Sequence, residues 1–220
     1  MLRAAFLTVI LLLEAPVSAN IGFSTIGRVD KNLFSCIASY YSTKFFSGRV
    51  WTMYGSYDAY GIPSLKDAVS SGYAIDGEFD PCMESNCPHV ANQIEAVVNR
   101  MKQEGLALGT LWVKIVNTHN EWSGNTATNQ QAIANIISQA DKMGQNVGFF
   151  ADQESWEKIT DKGFSGGASK PLWWSNEDQT PNNMDFIPFG GWLMPAVKQY
   201  AFALEHRCNG YYNIDLNYKP

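Results

Sequence analysis

The chain has 220 residues, with 16 Lys and Arg residues against 21 Asp and Glu, and a formal net charge of −5 at pH 7. This acidic balance excludes the basic surface typical of nucleic-acid-binding proteins, and it disfavours a generic cationic protein that disrupts anionic bacterial walls. The length fits one domain that can bury a substantial core.

The N-terminal segment has the pattern of an export signal. Arg3 gives a charged start, an apolar run covers residues 4–13, and Val17-Ser18-Ala19 forms a small-residue cleavage site before Asn20. The apolar run is too short to span a bilayer. We therefore predict a signal peptide at residues 1–19, a secreted extracellular product, and a single mature domain at residues 20–220 with no membrane insertion.

Along the mature chain, short apolar segments alternate with amphipathic helical patterns, which is typical of parallel strands joined by crossover helices. The predicted strands are residues 21–24, 44–51, 73–79, 106–116, 146–151, 171–175, 197–202 and 211–216. Eight such strands indicate a closed α/β barrel of the (β/α) TIM type. The segments after residue 162 are rich in Gly, Asn and Pro, so we expect short or missing helices in the last third.

Secretion favours disulfide bonds for the four cysteines, and four cysteines allow three connectivities. We predict a local Cys82–Cys87 bond, with Cys36 and Cys208 tying the first helix to the C-terminal region. The Cys/His spacings of a zinc site are missing. We therefore expect no metal and no other cofactor, and we expect a monomer.

In a (β/α) barrel the functional residues lie at the C-terminal ends of the strands. Aromatic side chains are frequent there, and more of them occur than a small barrel interior can hold. Such rings suit the apolar face of a sugar when polar groups lie beside them. The predicted glycan-binding residues are Trp51, Trp112, Phe150, Trp173, Trp174 and Tyr200.

Several short motifs follow one another along the chain. They are Gly48-Arg49-Val50-Trp51, Gly55-Ser56-Tyr57-Asp58, Asp80-Pro81-Cys82, Cys87-Pro88, Leu111-Trp112, Val147-Gly148, Pro171-Leu172-Trp173-Trp174, Phe189-Gly190-Gly191-Trp192, Lys198-Gln199-Tyr200 and Asn213-Ile214-Asp215. In this order they resemble glycoside hydrolase family 25, the muramidase-type lysozymes, in its eukaryotic branch from nematodes and amoebae. Each motif alone is weak, but the colinear set is specific and covers nearly all of the mature chain.

The resemblance implies cleavage of the β-1,4 bond between N-acetylmuramic acid and N-acetylglucosamine in peptidoglycan. It also implies catalytic carboxylates on three strands of the barrel: an Asp on the first, Asp-x-Glu on the fourth and an Asp on the eighth. Glycoside hydrolysis uses such groups because one carboxyl protonates the leaving oxygen while another stabilises the positive charge at the sugar carbon.

Three of these four carboxylates are absent from the positions that match. Ser24 stands at the first-strand position, while Lys114 and Val116 replace the two acids of the fourth strand. Asp215, on the eighth strand, is the retained carboxylate. Residues 105–120 contain no Asp or Glu that a shifted alignment could use, so we expect muramidase catalysis to be weak or lost.

Asp76-Gly77-Glu78 has the spelling of the missing motif, but it belongs to the preceding strand. An inward polar pair is the ordinary interpretation of these residues, and they are weak candidates for replacement catalysis together with Asp215. A lysine that points into a barrel needs a partner, because an unpaired buried charge is costly. We therefore predict that Lys114 forms an ion pair with Asp215, Asp76 or Glu78.

Three functions remain open at this point. The first is a lysozyme-like protein that binds peptidoglycan or related amino-sugar glycans in innate defence without ordinary catalysis. The second is an active glycosidase that uses relocated carboxylates, Glu78 and Asp215. The third is a secreted barrel that binds a partner or has a structural role, with no glycan.

Overall fold

The computed structural model describes residues 20–116, 122–208 and 211–220. The predicted signal peptide at residues 1–19 lies outside the described residues. The strands are β1 (Asn20–Thr25), β2 (Phe45–Thr52), β3 (Ser56–Tyr57), β4 (Ala74–Phe79), β5 (Leu111–Lys114), β6 (Val147–Ala151), β7 (Leu172–Ser175), β8 (Val197–Arg207) and β9 (Tyr211–Lys219). The helices are α1 (Lys31–Tyr41), α2 (Gly61–Ser70), α3 (Val90–Gln103), α4 (Thr126–Met143) and α5 (Gln153–Thr160).

Eight of the strands close into a barrel. Their order is β1-β9-β8-β7-β6-β5-β4-β2, and β1 also pairs with β2, which joins the two ends of the sheet. The two-residue strand β3 pairs with β2 at the rim. The prediction of a closed α/β barrel is confirmed.

The helices form where the sequence gives an apolar stripe and a start signal. In α3 the buried residues include Val90, Ile94, Val97 and Met101, one face of a helix at three- and four-residue spacing. The side chain of Asn125 caps α4 by accepting a hydrogen bond from the backbone of Thr128. Each helix follows a strand and packs on the outside of the barrel, so helices α2 to α5 begin at the end where the preceding strands finish.

The last third departs from a regular (β/α) pattern. Among the described residues no helix follows Thr160, which confirms the expectation of missing helices in this region. The expectation that all eight strands run parallel is wrong for β9, which is antiparallel to both β1 and β8. The connection from β8 to β9 is too short for a crossover helix, and a short connection can join only antiparallel neighbours.

Two disulfide bonds close the fold as the sequence predicted. Cys36, on α1, is bonded to Cys208 at the end of β8, 172 residues further along the chain. Cys82 and Cys87, five positions apart in the sequence, close a short loop after β4. The predicted strand at residues 106–116 is shorter in the structure, where β5 covers only Leu111–Lys114. Within the described ranges, no helix combines the length and apolar character needed to cross a bilayer.

Candidate functional site

The residues at the positions of the family's carboxylates converge on one end of the barrel. We call this place the barrel mouth and define it by Ser24, Glu78, Lys114, Val116 and Asp215. Ser24 on β1 lies beside Asp215 on β9 in the strand register, and Val116 packs against the apolar cluster inside the barrel. Successive side chains of a strand alternate between the two faces of a sheet, so every second residue near a strand end points into the mouth.

An ion pair between Lys114 and Glu78 crosses the mouth. The Nζ atom of Lys114 lies 2.8 Å from Oε2 of Glu78, and the side chains are 22% and 5% exposed. Lys114 also lies over the ring of Phe150, with Nζ 5.5 Å from the ring centroid. Burial lowers the pKa of Lys114, but the charges of Glu78, Asp80 and Asp215 outweigh it, so the pKa is raised above its ordinary value. The predicted ion pair is therefore present, and Glu78 is its partner.

Asp215 has the most perturbed carboxyl group of the mouth. Burial and the negative charges of Glu78 and Glu177 raise its pKa to about 6, although a backbone hydrogen bond and the charge of Lys114 act in the opposite direction. The hydrogen bond comes from the N–H of Ala203 to Oδ1 of Asp215, at 2.9 Å. A carboxyl with such a pKa exchanges its proton near neutral pH.

An irregularity in β8 aims the Ala203 N–H at Asp215. The register between β8 and β9 shifts on both sides of Ala201, and Ala203 has φ of +50°. Non-glycine residues rarely adopt this left-handed conformation, and such strain is often found at functional sites. The bulge therefore positions the one acid that this chain retains from the family pattern.

A second polar cluster forms the rim of the mouth. Arg49 donates from Nε to Asp58 at 2.8 Å and approaches Asp80 at 3.4 Å. Asp58 also accepts hydrogen bonds from the backbone N–H groups of Tyr60 and Gly61 at the start of α2. Gly61 is required here, because a Cβ atom would lie 1.6 Å from the carbonyl oxygen of Arg49. The cluster fixes β2, β4 and α2 relative to one another.

The structure separates Asp76 from the mouth, which corrects its candidacy as a substitute acid. Its carboxylate accepts hydrogen bonds from Nε1 of Trp112 at 3.1 Å and from the backbone of Thr110 at 2.9 Å. It also pairs with Lys219, near the end of β9, at 2.7 Å. Because β9 runs antiparallel to its neighbours, its last residues lie at the opposite end of the barrel. Asp76 therefore has a structural role at the end of the barrel opposite the mouth, away from Asp215.

The predicted aromatic groove also needs correction. Trp112, Phe150 and Trp173 fill the inside of the barrel together with Phe45 and Val197. Trp112 and Trp173 are 2% and 1% exposed and lie edge to face at 5.5 Å between ring centroids. A sugar cannot stack on rings that other side chains cover. Phe150 alone reaches the mouth, as the floor beneath Lys114.

The other three predicted rings lie on the outer face of the barrel. Trp51 stacks on Phe79 and donates from Nε1 to Gln93 of α3 at 2.9 Å. Trp174 packs against Phe186 and Lys198. Strand alternation directs these side chains toward the covering helices and loops. Tyr200 is likewise buried in the main core, where burial and the neighbouring Tyr41 raise its pKa.

The exposed rings near the mouth are residues that the sequence analysis missed. Tyr54 lies in the turn between β2 and β3 and is 78% exposed, and Tyr60 precedes α2 and is 55% exposed. Phe202 on β8 is 56% exposed. Their signal in the sequence was weak because they sit in turns or beside a bulge, outside any periodic pattern.

In the described part of the chain no group of three His, Cys, Asp or Glu side chains is arranged to hold a metal ion.

Replacing Asp215 with asparagine should stabilise the protein at neutral pH. The folded-state pKa of Asp215 lies above its ordinary value. Its ionisation therefore lowers the free energy of unfolding as the pH rises from about 4 through about 6. We expect Asp215→Asn to raise the free energy of unfolding by about 1–3 kcal/mol at pH 7 and by much less at pH 4. Urea denaturation at both pH values measures this.

Glu205→Gln is the matched control, because Glu205 is an exposed carboxylate of the same β8–β9 hairpin. Equal effects of the two substitutions at pH 7 would contradict a buried Asp215 whose pKa is raised.

Comparison with known proteins agrees with this geometry. The family model described as "Lys-1: Lysozyme-like protein 1" matches residues 15–200. The chain is 30% identical to lysozyme-like protein 5 of Caenorhabditis elegans, with 98% of each chain covered. It is also 30% identical to probable GH family 25 lysozyme 5 of Dictyostelium discoideum, over 90% of this chain and 92% of that protein.

The fold is shared with the family GH25 lysozyme of Aspergillus fumigatus. The TM-score is 0.64 at 14% identity, over 92% of this chain and 94% of that one. Family match, full-length relatives and barrel architecture agree. The chain therefore belongs to the lysozyme-like proteins of glycoside hydrolase family 25.

Proposed function

We propose that this chain is a secreted monomer that binds peptidoglycan or a related amino-sugar glycan in innate defence, with ordinary muramidase catalysis weak or lost. The Lys114–Glu78 ion pair is the observation that carries the proposal. It places an ammonium group where the family resemblance implies an acid, and Val116 has no titratable proton for the role of the second acid. The family and the polar groups of the mouth support a glycan partner.

The ion pair changes the chemistry of the mouth in one direction. Lys114 attracts and holds a negative charge on its neighbour, whereas a general acid must carry a proton that it can give to the leaving oxygen. Glu78 is therefore a structural partner of Lys114. Tyr54 and Tyr60 offer exposed ring faces at the rim, and we propose them as the sugar-contacting rings in place of the buried tryptophans.

Two assays test this proposal. In a pull-down, the protein should sediment with insoluble peptidoglycan, and Tyr54→Ala with Tyr60→Ala should weaken retention at least about tenfold, because aromatic contacts dominate sugar affinity. Tyr40→Ala, an exposed ring at the far end of α1, is the control. In a turbidity assay, bacterial walls should not clear. A folded protein that fails to sediment would favour a barrel with a structural or partner-binding role and no glycan.

A second function is testable because Asp215 has a pKa of about 6, which the negative charge of Glu78 helps to raise. A carboxyl whose pKa is raised toward neutral pH, close to a second carboxyl, is the arrangement of an acid and its stabilising partner in glycosidases. In this alternative the chain is an active glycosidase with relocated carboxylates. Clearing of bacterial walls that disappears in both Asp215→Asn and Glu78→Gln would establish it and would overturn the loss of catalysis.

A further inference from the structure

A cavity at the rim of the barrel lies outside the mouth. It has a volume of about 530 Å³, which is in the range of small-ligand sites. Its walls are the first turns of α3 and α4 and the Cys82–Cys87 loop. Both helices begin where the preceding strands end, so this rim pocket opens at the same end of the barrel as the mouth. Asp80 of the mouth's rim and Cys82 of the pocket wall are two residues apart.

Two buried carboxamides hold the loops that form the pocket. Gln93 is fully buried on α3, and its side chain makes hydrogen bonds of 2.7 to 3.0 Å with both backbone groups of Cys82 and with the carbonyl of Pro88. Asn129 is fully buried on α4 and bonds the backbone of Ser123 on the other side. The pocket is therefore formed before any ligand arrives, which lowers the ordering cost of binding.

The chemistry of the lining selects a class of ligand. The buried part of the lining is small and apolar, with Cys82 of the disulfide, Val90 and Ala132. The more exposed part carries the amides of Gln131 and Asn135, together with Met83 and the acid Glu84. Nε2 of His89 lies 3.2 Å from Nδ2 of Asn135, and Gln131 donates to Oδ1 of Asn135, so these polar groups form one connected edge. Amide side chains both donate and accept, which matches the N–H and C=O groups of a peptide backbone.

Other ligand classes fit less well. Among the described residues that line the pocket none is Lys or Arg, so a phosphate or sulfate group would meet no cation. None is Phe, Tyr or Trp, so a sugar ring would find no face on which to stack. A short peptide with methyl side chains meets both the apolar floor and the amide edge.

We propose that the rim pocket binds the short, alanine-containing peptide arm of peptidoglycan, while the neighbouring mouth faces its sugar chain. This proposal rests on the proposed function, since it names the part of the same polymer that a second site would hold. It predicts that the protein recognises peptide-bearing wall fragments better than bare sugar chains.

The test is calorimetric titration of the full protein with two probes: a synthetic alanine-containing stem peptide and an oligomer of N-acetylglucosamine. The stem peptide should bind the unmodified protein. Thr128→Trp, which places a large ring in the pocket from an exposed position of α4, should raise the Kd for the peptide at least tenfold. Ser138→Trp, at an exposed position of the same helix outside the pocket, should leave it unchanged.

A second variant guards against misfolding of Thr128→Trp. Gln131→Ala with Asn135→Ala removes the amide edge without adding bulk, and it should also raise the Kd for the peptide at least tenfold. Absence of peptide binding, or peptide binding that neither variant weakens, would overturn the rim-pocket proposal even if the protein still sediments with peptidoglycan. A sugar oligomer that competes for the pocket would overturn the peptide assignment. Failure of the pull-down with intact peptide binding would overturn the proposed function alone.

Discussion

Replacing Lys114 with methionine should lower the free energy of unfolding by about 3–5 kcal/mol, because it leaves the buried carboxylate of Glu78 without its cation. The other oxygen of Glu78, Oε1, is already buried without a hydrogen-bond partner among the described residues. Asp80 and Asp215 also lie close enough to act on Lys114. One ammonium group thus acts on several acids. Arg49 also pairs with Asp80, but Glu78 would lose its cation.

A double-mutant cycle isolates this interaction. Glu78→Gln combined with Lys114→Met should recover most of the lost stability, since neither partner is then a buried unpaired charge. Lys114→Asp should be worse than Lys114→Met at pH 7, because it adds a carboxylate to the same crowded place. Urea or thermal unfolding measures all four proteins. Additive effects of the two single substitutions would show that the ion pair contributes nothing of its own.

The same substitution has a titration readout. Lys114 lowers the pKa of Asp215, which burial otherwise raises. Lys114→Met should therefore raise the pKa of Asp215 above about 6, and NMR titration of the side-chain carboxyl carbon would detect the change. A merely structural lysine, distant from Asp215, would leave that titration unmoved.

Restoring the family's acids should create wall-lysing activity. Ser24→Asp, Lys114→Asp and Val116→Glu introduce acids at the three positions where the resemblance implies them. A fourth substitution, Glu78→Gln, is needed because Glu78 contacts residue 114 and would otherwise repel the new carboxylate. General acid catalysis typically contributes about 10²–10⁴-fold, so we expect the restored protein to clear bacterial walls at least about 100-fold faster than the unmodified chain. The turbidity assay measures this directly.

The matched control for the restored protein carries Val116→Gln in place of Val116→Glu. Glutamine has nearly the same shape but no transferable proton, so this control should remain inactive. Equal activity in the two restored proteins would place the acid elsewhere. Activity already present in the unmodified chain and lost in Asp215→Asn would instead support the relocated carboxylates.

The architecture and the set of available chemical groups could be predicted from the amino-acid sequence. Short apolar runs that alternate with amphipathic helical patterns predicted the barrel, since such runs are typical of buried parallel strands joined by crossover helices. Local spacing and the predicted export signal led to the prediction of both disulfide bonds, which the structure contains. The motif order identified the family, and Ser24, Lys114 and Val116 stand where the resemblance implies carboxylates.

The tertiary structure decided which side of each strand faces the mouth. Alternation along a strand is visible in sequence, but its phase depends on register, closure and bulges, and one residue of shift exchanges the two faces. Trp51, Trp174 and Tyr200 therefore lie on the outside although each is near a strand end. The reversed direction of β9 likewise places Lys219 beside Asp76, at the end of the barrel away from Asp215.

Long-range contacts likewise decided the electrostatics. Ala203 and Asp215 meet only because β8 bulges against β9. Glu78 becomes the partner of Lys114 because β4 and β5 are neighbours in the closed sheet. Charge state follows from burial and from the distance between groups far apart in the chain, and neither quantity is encoded in local sequence.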